Sequence, residues 1–334
     1  MATIKDIARE AGVSVTTVSN VIHNRTARVS QNTIDKINAL INKLDYTPNM
    51  YARSLALNSS KVIAYISTIY LNDPFNAAVI DTLEHALAKE GYYLMVKTIS
   101  SPKELKLFLQ NWSLDGLFFT GIYDGKMADV VSESGIPAVF VDSYYTCKNA
   151  VNVGLDDFNS AYSACEYLIK KGHRKITIVS QATCELGVNK ARLSGFLQAM
   201  QDHSLAINPE YIYDTCSDSE YGITIGEKLA KSDITAIFAF SDVTAIQVMR
   251  GKVKAGKKIP DDISVIGFDD IDLCRLSSPQ LTTVHQDTQR KATIAVDQLI
   301  KILSGSINNA SQKNITLPTH IVERESVKFL QSSN

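Results

Sequence analysis

The chain has 334 residues, 45% of them hydrophobic, with a net charge of −1, which suits a binding domain of ~50 residues on a larger one- or two-lobed body and excludes a basic coat for nucleic acid. Five scattered cysteines without a Cys-x-x-Cys pair indicate neither a disulfide framework nor a zinc site, so buried thiols in a reducing cytoplasm are expected. Charges at Lys5, Asp6, Arg9 and Glu10 interrupt what a signal peptide would need, and no run approaches the ~18 apolar residues of a membrane span.

Two short amphipathic segments open the chain, hinged at Ala11-Gly12-Val13. Thr3 with Asp6 fits a capping box, and Ile4, Ile7, Ala8 and Ala11 form a stripe at helical spacing, so a first helix starts at residue 4. Gly12 supplies a tight turn. Ser14 caps a second helix whose inward positions are Val18 and Val21. Its outward face carries Val15, Thr16, Ser19 and Asn20, small and polar groups suited to base edges and thymine methyls in a major groove. A third helix is predicted over 31–44, with Ser30 as cap and Ile34, Ile37, Ile41 and Leu44 on one face.

Pro48 ends that helix, and the nine-residue piece 49–57 is too short to be a stable helix alone, since isolated helices below ~12 residues are marginal in water. It is expected to fold only when bound. Residues 1–60 contain seven Lys or Arg against four acids, a net +3, which leaves −4 for the remainder. So modest a charge holds DNA weakly in one copy, and two heads acting together would do better.

From Val62 onward, short apolar strands alternate with amphipathic helices, the rhythm of a doubly wound parallel sheet. Strands are predicted at 62–68, 92–97, 116–120 and 138–141, with a helix at 76–90. A second unit repeats the pattern at 175–179, 235–240 and 264–268, as expected for two similar lobes facing a cleft. Ligands of such sheets bind beyond the carboxyl ends of the strands. There the chain places Asn72, Asp73, Phe75, Asp142, Asp242 and Asp269, and Arg192 would start a helix of the second lobe and point into the same cleft. Carboxylates, a guanidinium, an amide and an aromatic ring suit a neutral polyhydroxylated ligand, although any one of these aspartates could instead cap a helix. No nucleophile elbow, phosphate loop, dinucleotide fingerprint or metal spacing of histidines supports an enzyme, and no catalytic or metal-binding residue is assigned; His173 and His203 read as loop or surface residues.

The chain resembles the LacI/GalR family of bacterial transcription regulators from Ala2 to about Phe329. The resemblance rests on Thr3-Ile4-Lys5-Asp6-Ile7-Ala8, Ala11-Gly12-Val13-Ser14, Thr17-Val18-Ser19, Tyr46-x-Pro48-Asn49 and Ala52-Arg53-Ser54-Leu55-Ala56 in the head and hinge. In the body it rests on Arg192-x-x-Gly195-Phe196, the run from Ile259 to Asp270, and Pro279-x-Leu281-Thr282-Thr283-Val284. It implies a helix-turn-helix head at 1–46, a hinge helix and linker at 47–60, and a periplasmic-binding-protein-like α/β body. The body's first lobe would comprise 61–157 with 288–317, and its second 158–287 with 318–330. By the same resemblance, Val15, Thr16 and Asn20 read bases, while Thr3, Ser14, Thr17, Ser19 and Tyr46 contact or support the DNA backbone. Asn49, Ala52 and Leu55 lie in the minor groove, with Leu55 wedging a base step.

The effector pocket carries over to Asn72, Phe75, Asp142, Arg192, Asp242, Asp269 and Gln286. Ser241, Asp157 and His23 stand where the family often has Asn. The implied protein is a cytoplasmic homodimeric repressor that binds pseudo-palindromic double-stranded operator DNA. No cofactor is expected besides a small-molecule effector, with a sugar or sugar derivative favoured. The alternatives are a corepressed regulator responding to a purine or other metabolite, and a solute-binding receptor with the same lobes.

Overall fold

Among the described residues, the first unit, Met1–Ser60, holds three helices: α1 (Ile4–Ala11), α2 (Val15–Ile22) and α3 (Gln31–Lys43). The computed structural model describes residues 2–22, 25–46, 59–68, 74–121, 125–143, 150–180, 187–213, 220–307 and 313–330. Asn49, Ala52, Leu55, Asn72 and His23 lie outside them. The predicted capping box is present: the Thr3 side chain accepts from the Asp6 amide, and Asp6 accepts from the Thr3 amide at 3.0 Å. The Thr3 hydroxyl, which donates to Asp6 Oδ2 at 2.7 Å, and then the Thr3 amide hold the Asp6 carboxyl below its ordinary range. Gly12, at φ 72, ends α1 in the left-handed conformation that a β-carbon disfavours. Ile7, Ala8, Ala11, Val18, Val21 and Ile37 form a core of their own, and Lys36 Nζ donates to the Ala11 carbonyl, tying α3 to the end of α1.

Among its described residues, the second unit, Lys61–Asn334, contains two six-stranded sheets. One is built from β1 (Val62–Ser67), β2 (Tyr93–Thr98), β3 (Gly116–Thr120), β4 (Ala138–Val141), β5 (Val151–Leu155) and β11 (Lys313–Leu317), in the spatial order 11-5-4-3-1-2. The other comprises β6 (Ile176–Val179), β7 (Ile212–Tyr213), β8 (Ala236–Ala239), β9 (Ser264–Asp269), β10 (Thr282–His285) and β12 (His320–Val322), in the order 12-10-9-8-6-7. The two orders are the same pattern, so the duplication suggested by the sequence is a duplication of topology. Among the described residues, every strand pairing is parallel except β10 with β12. Central strands such as β3 are buried throughout, which explains their uninterrupted apolar sequence.

Helices cover both sheets: α4 (Pro74–Lys89), α5 (Pro102–Asn111), α6 (Gly125–Ser134), α7 (Asp157–Lys170), α8 (Gly187–Asp202), α9 (Tyr221–Leu229), α10 (Asp242–Lys254), α11 (Leu273–Leu276) and α12 (Thr288–Leu303). The chain passes from one sheet to the other at residue 156, at 286–287 and at 318–319. Sequence reading missed five strands: β5, β7, β10, β11 and β12. Several are short, and β5 carries Asn152 and Gly154 within its apolar run, so local periodicity was too weak to reveal them. Arg192 does not start its helix. The helix begins at Gly187, which places Arg192 in its second turn.

Candidate DNA-reading face and effector cleft

In the head, α2 buries Val18 and Val21 and turns Val15 outward, 41% exposed, beside exposed Ser14 and Thr16. Asn20, Ser19 and Thr17 are half-buried on the same short helix. Ser14 Oγ accepts from the Thr17 amide at 3.1 Å and lies 2.9 Å from the Thr17 hydroxyl, so both side chains serve the helix N-terminus. That leaves Val15 and Thr16 as the projecting groups at the start of α2, the end by which a recognition helix approaches base edges. Tyr46 packs against the head core, and burial raises its phenol pKa.

Five of the expected effector residues converge in the second unit. Arg192 is buried: its Nε donates to Asp157 Oδ1 at 2.8 Å, its Nη1 donates to the Phe240 carbonyl at 2.5 Å, and its guanidinium lies 3.6 Å above the Phe268 ring. Burial opposes its charge, but the Asp157 and Asp269 carboxylates outweigh that and raise its pKa. Burial raises the Asp157 pKa in turn, with Arg192 as the main opposing influence. Asp142, just past β4, accepts both of its hydrogen bonds from Lys291 Nζ, at 2.8 and 2.7 Å. Lys291 also donates to Gln286 Oε1 at 2.8 Å, and Gln286 Nε2 donates to Asp269 Oδ1 at 2.5 Å. Phe75 presents its ring to the same ammonium at 5.3 Å.

Asp242 requires a correction. It is fully buried, with Oδ1 accepting from the Thr283 hydroxyl at 2.5 Å and Oδ2 from the Ile271 amide at 3.0 Å. A β-carbon at Gly267 would collide with the same carboxylate. Asp242 therefore ties the start of α10 to β9 and β10 and has no face to offer a ligand. Ser241 likewise caps α10, accepting from the Thr244 amide at 3.3 Å.

His173 is also corrected in part: it lies in the loop between α7 and β6, but it is completely buried and not at the surface. Its Nε2 faces the Lys328 carbonyl and so carries the hydrogen, while Nδ1 faces the Thr235 hydroxyl. Cys165 and Cys274 are the buried thiols among the described residues, with burial pushing both pKa values up.

Sequence reading did not single out Lys291. A signal was available: Lys291, Ala295 and Leu299 fall four residues apart on the buried face of α12, and a cation in an apolar stripe requires a partner. The Asp270 carboxylate meets Arg324 and His285; burial opposes its charge, but these two donors lower its pKa. Among the described residues, no helix is long and apolar enough to cross a membrane.

Residues 3–49 match the model of the bacterial regulatory proteins of the lacI family, and residues 165–327 match the periplasmic binding protein-like domain. The HTH-type transcriptional repressor PurR of Histophilus somni (strain 129Pt) is 36% identical over 340 residues, covering 99% of this chain and 100% of the relative. The ribose operon repressor of Haemophilus influenzae (strain ATCC 51907 / DSM 11121 / KW20 / Rd) is 33% identical over 337 residues, at 99% and 100% coverage. Among solved structures, the Lac repressor bound to ONPG in its repressed state has a TM-score of 0.84 at 25% identity, covering 98% of this chain and 99% of that one. The fold is shared with a ribose-bound LacI family transcriptional regulator from Enterococcus faecium, at TM-score 0.73 and 24% identity, with coverage of 81% and 100%. A two-sheet ligand-binding body behind a helix-turn-helix head defines a class of ligand-controlled DNA-binding regulators. Within that class, the chain belongs to the LacI family of bacterial regulatory proteins.

Proposed function

We propose that the protein is a cytoplasmic, non-catalytic, dimeric transcriptional repressor whose operator affinity is set by a small molecule bound between its two lobes. The observation that carries this reading is the convergence of Arg192, Asp157, Asp142, Gln286 and Asp269 near the carboxyl ends of both sheets, in a chain that also bears a helix-turn-helix head. Two heads on a twofold axis read a pseudo-palindrome through Val15, Thr16 and Asn20, with hinge residues Asn49, Ala52 and Leu55 in the minor groove. Ligand binding favours one lobe arrangement by roughly 1–3 kcal/mol, a typical coupling energy, and so orders or releases the hinge.

A sugar or sugar derivative is the favoured effector. Phe75 supplies an apolar face, and the carboxylates of Asp142 and Asp269 supply acceptors for hydroxyls. A purine is the second reading, supported by the 36% identity to a repressor named PurR. Selection from random duplex DNA should return a twofold-symmetric site, and failure to enrich any site overturns the regulator reading. With that site in hand, a panel of sugars and purines identifies the effector class by its change in DNA affinity. A bound effector at about 100 times its Kd should also stabilise the protein by about 2.7 kcal/mol. Arg192→Ala should retain DNA binding and lose the response; a retained response removes Arg192 from the pocket.

A further inference from the structure

Lys291 is 0% exposed, on the first turn of α12, and an ammonium held there needs its charge and all its donors satisfied. Both oxygens of Asp142, whose side chain is 18% exposed, and the Gln286 carbonyl oxygen meet that need. Gln286 passes the bond on to Asp269. The result is one hydrogen-bonded chain, Asp142–Lys291–Gln286–Asp269. It runs from the end of β4 in the first sheet, across the 286–287 crossing, to the end of β9 in the second.

Both terminal aspartates have positive φ, 50° for Asp142 and 127° for Asp269, conformations that a side chain disfavours. Backbone strain of this kind persists where surrounding bonds over-determine it, and it gathers at sites that switch. The lysine is hard to explain as packing, since the buried residues of α12 around it are apolar (Ala292, Ala295, Val296, Leu299 and Ile302) or, at Gln298, uncharged.

We propose that Lys291 is the positioning residue that straps the two lobes together: its ammonium presets Asp142 and, through Gln286, Asp269 as a pair of acceptors, and any change in lobe arrangement must break that chain. A neutral ligand donating hydroxyls to Asp142 or Asp269 competes with the strap's own donors, which converts occupancy of the cleft into a bias on the lobes. The inference rests on the cleft being the effector site, but its test uses no effector.

Spin labels introduced genetically at exposed Asp129 on α6 and Lys190 on α8 leave the native cysteines untouched and report the distance between the lobes by double electron–electron resonance. The ligand-free full-length protein should give one narrow distribution. Lys291→Met and Gln286→Leu should each shift it to a second or broader population, and Lys291→Arg should restore the narrow one. Gln286→Leu cuts only the link between Lys291 and Asp269, leaving the ion pair intact, so it decides the question if Lys291→Met fails to fold. A wild-type distribution in Gln286→Leu overturns the strap. Shifted distances in a protein that binds no small molecule would uphold the strap and remove the effector reading.

Discussion

His173 lies in Lys171-Gly172-His173-Arg174, a run whose charges and glycine read as a surface loop, yet its imidazole is fully enclosed. Burial lowers its pKa from 6.5 to about 4, with the Lys328 carbonyl only partly opposing the shift. The folded chain therefore keeps the ring neutral where the unfolded chain already takes up a proton. Its contribution is fully present above pH 6.5 and is lost as the pH falls toward 4. The loss amounts to roughly 3 kcal/mol at most, at about 1.4 kcal/mol per pKa unit. Urea titrations at a series of pH values should show this slope, and His173→Gln should flatten it between pH 6.5 and 4; an unchanged slope would assign acid sensitivity to other groups. Asp242 teaches a similar lesson. An aspartate after a parallel strand can face a ligand or the protein, and only the Thr283 and Ile271 donors reveal which.

Signals within an element were more faithful than those at single residues. The Thr3–Asp6 box, the Gly12 turn, the Ser14 and Ser30 caps and the buried Val18 and Val21 all lie where the sequence predicts them. Each depends on residues at most four positions apart, a range over which backbone geometry is nearly set. Thr3→Ala should cost about 1 kcal/mol, so amides in α1 should exchange with solvent roughly fivefold faster in the full-length protein. Exchange at the wild-type rate would show that tertiary packing alone holds the first turn. Short strands fared worse. β12 is three residues long and antiparallel, and nothing within it distinguishes it from a loop until β10 is placed beside it.

For the whole molecule, the duplicated strand order makes two half-clefts from one topology, and three chain crossings join them. Asp157 and Gln286 sit at two of those crossings, so residues that touch the candidate ligand site also touch the hinge between lobes. The head's modest +3 charge agrees with a reader that works in pairs and needs its hinge. Leu55→Ala should abolish operator binding while leaving unchanged the melting shift produced by the effector that the ligand panel identifies. Unchanged operator affinity, read by fluorescence anisotropy, would discard the minor-groove wedge. The sequence by itself determined the head, its turn, the buried and exposed sides of α2 and the alternating character of the body, because caps, periodicity and turn residues act over a few positions. Only the tertiary structure decided which donors each aspartate meets and which groups Lys291 pairs with. Lys291 and Asp142 are 149 residues apart, and a buried charge takes its meaning from the partner that folding brings to it.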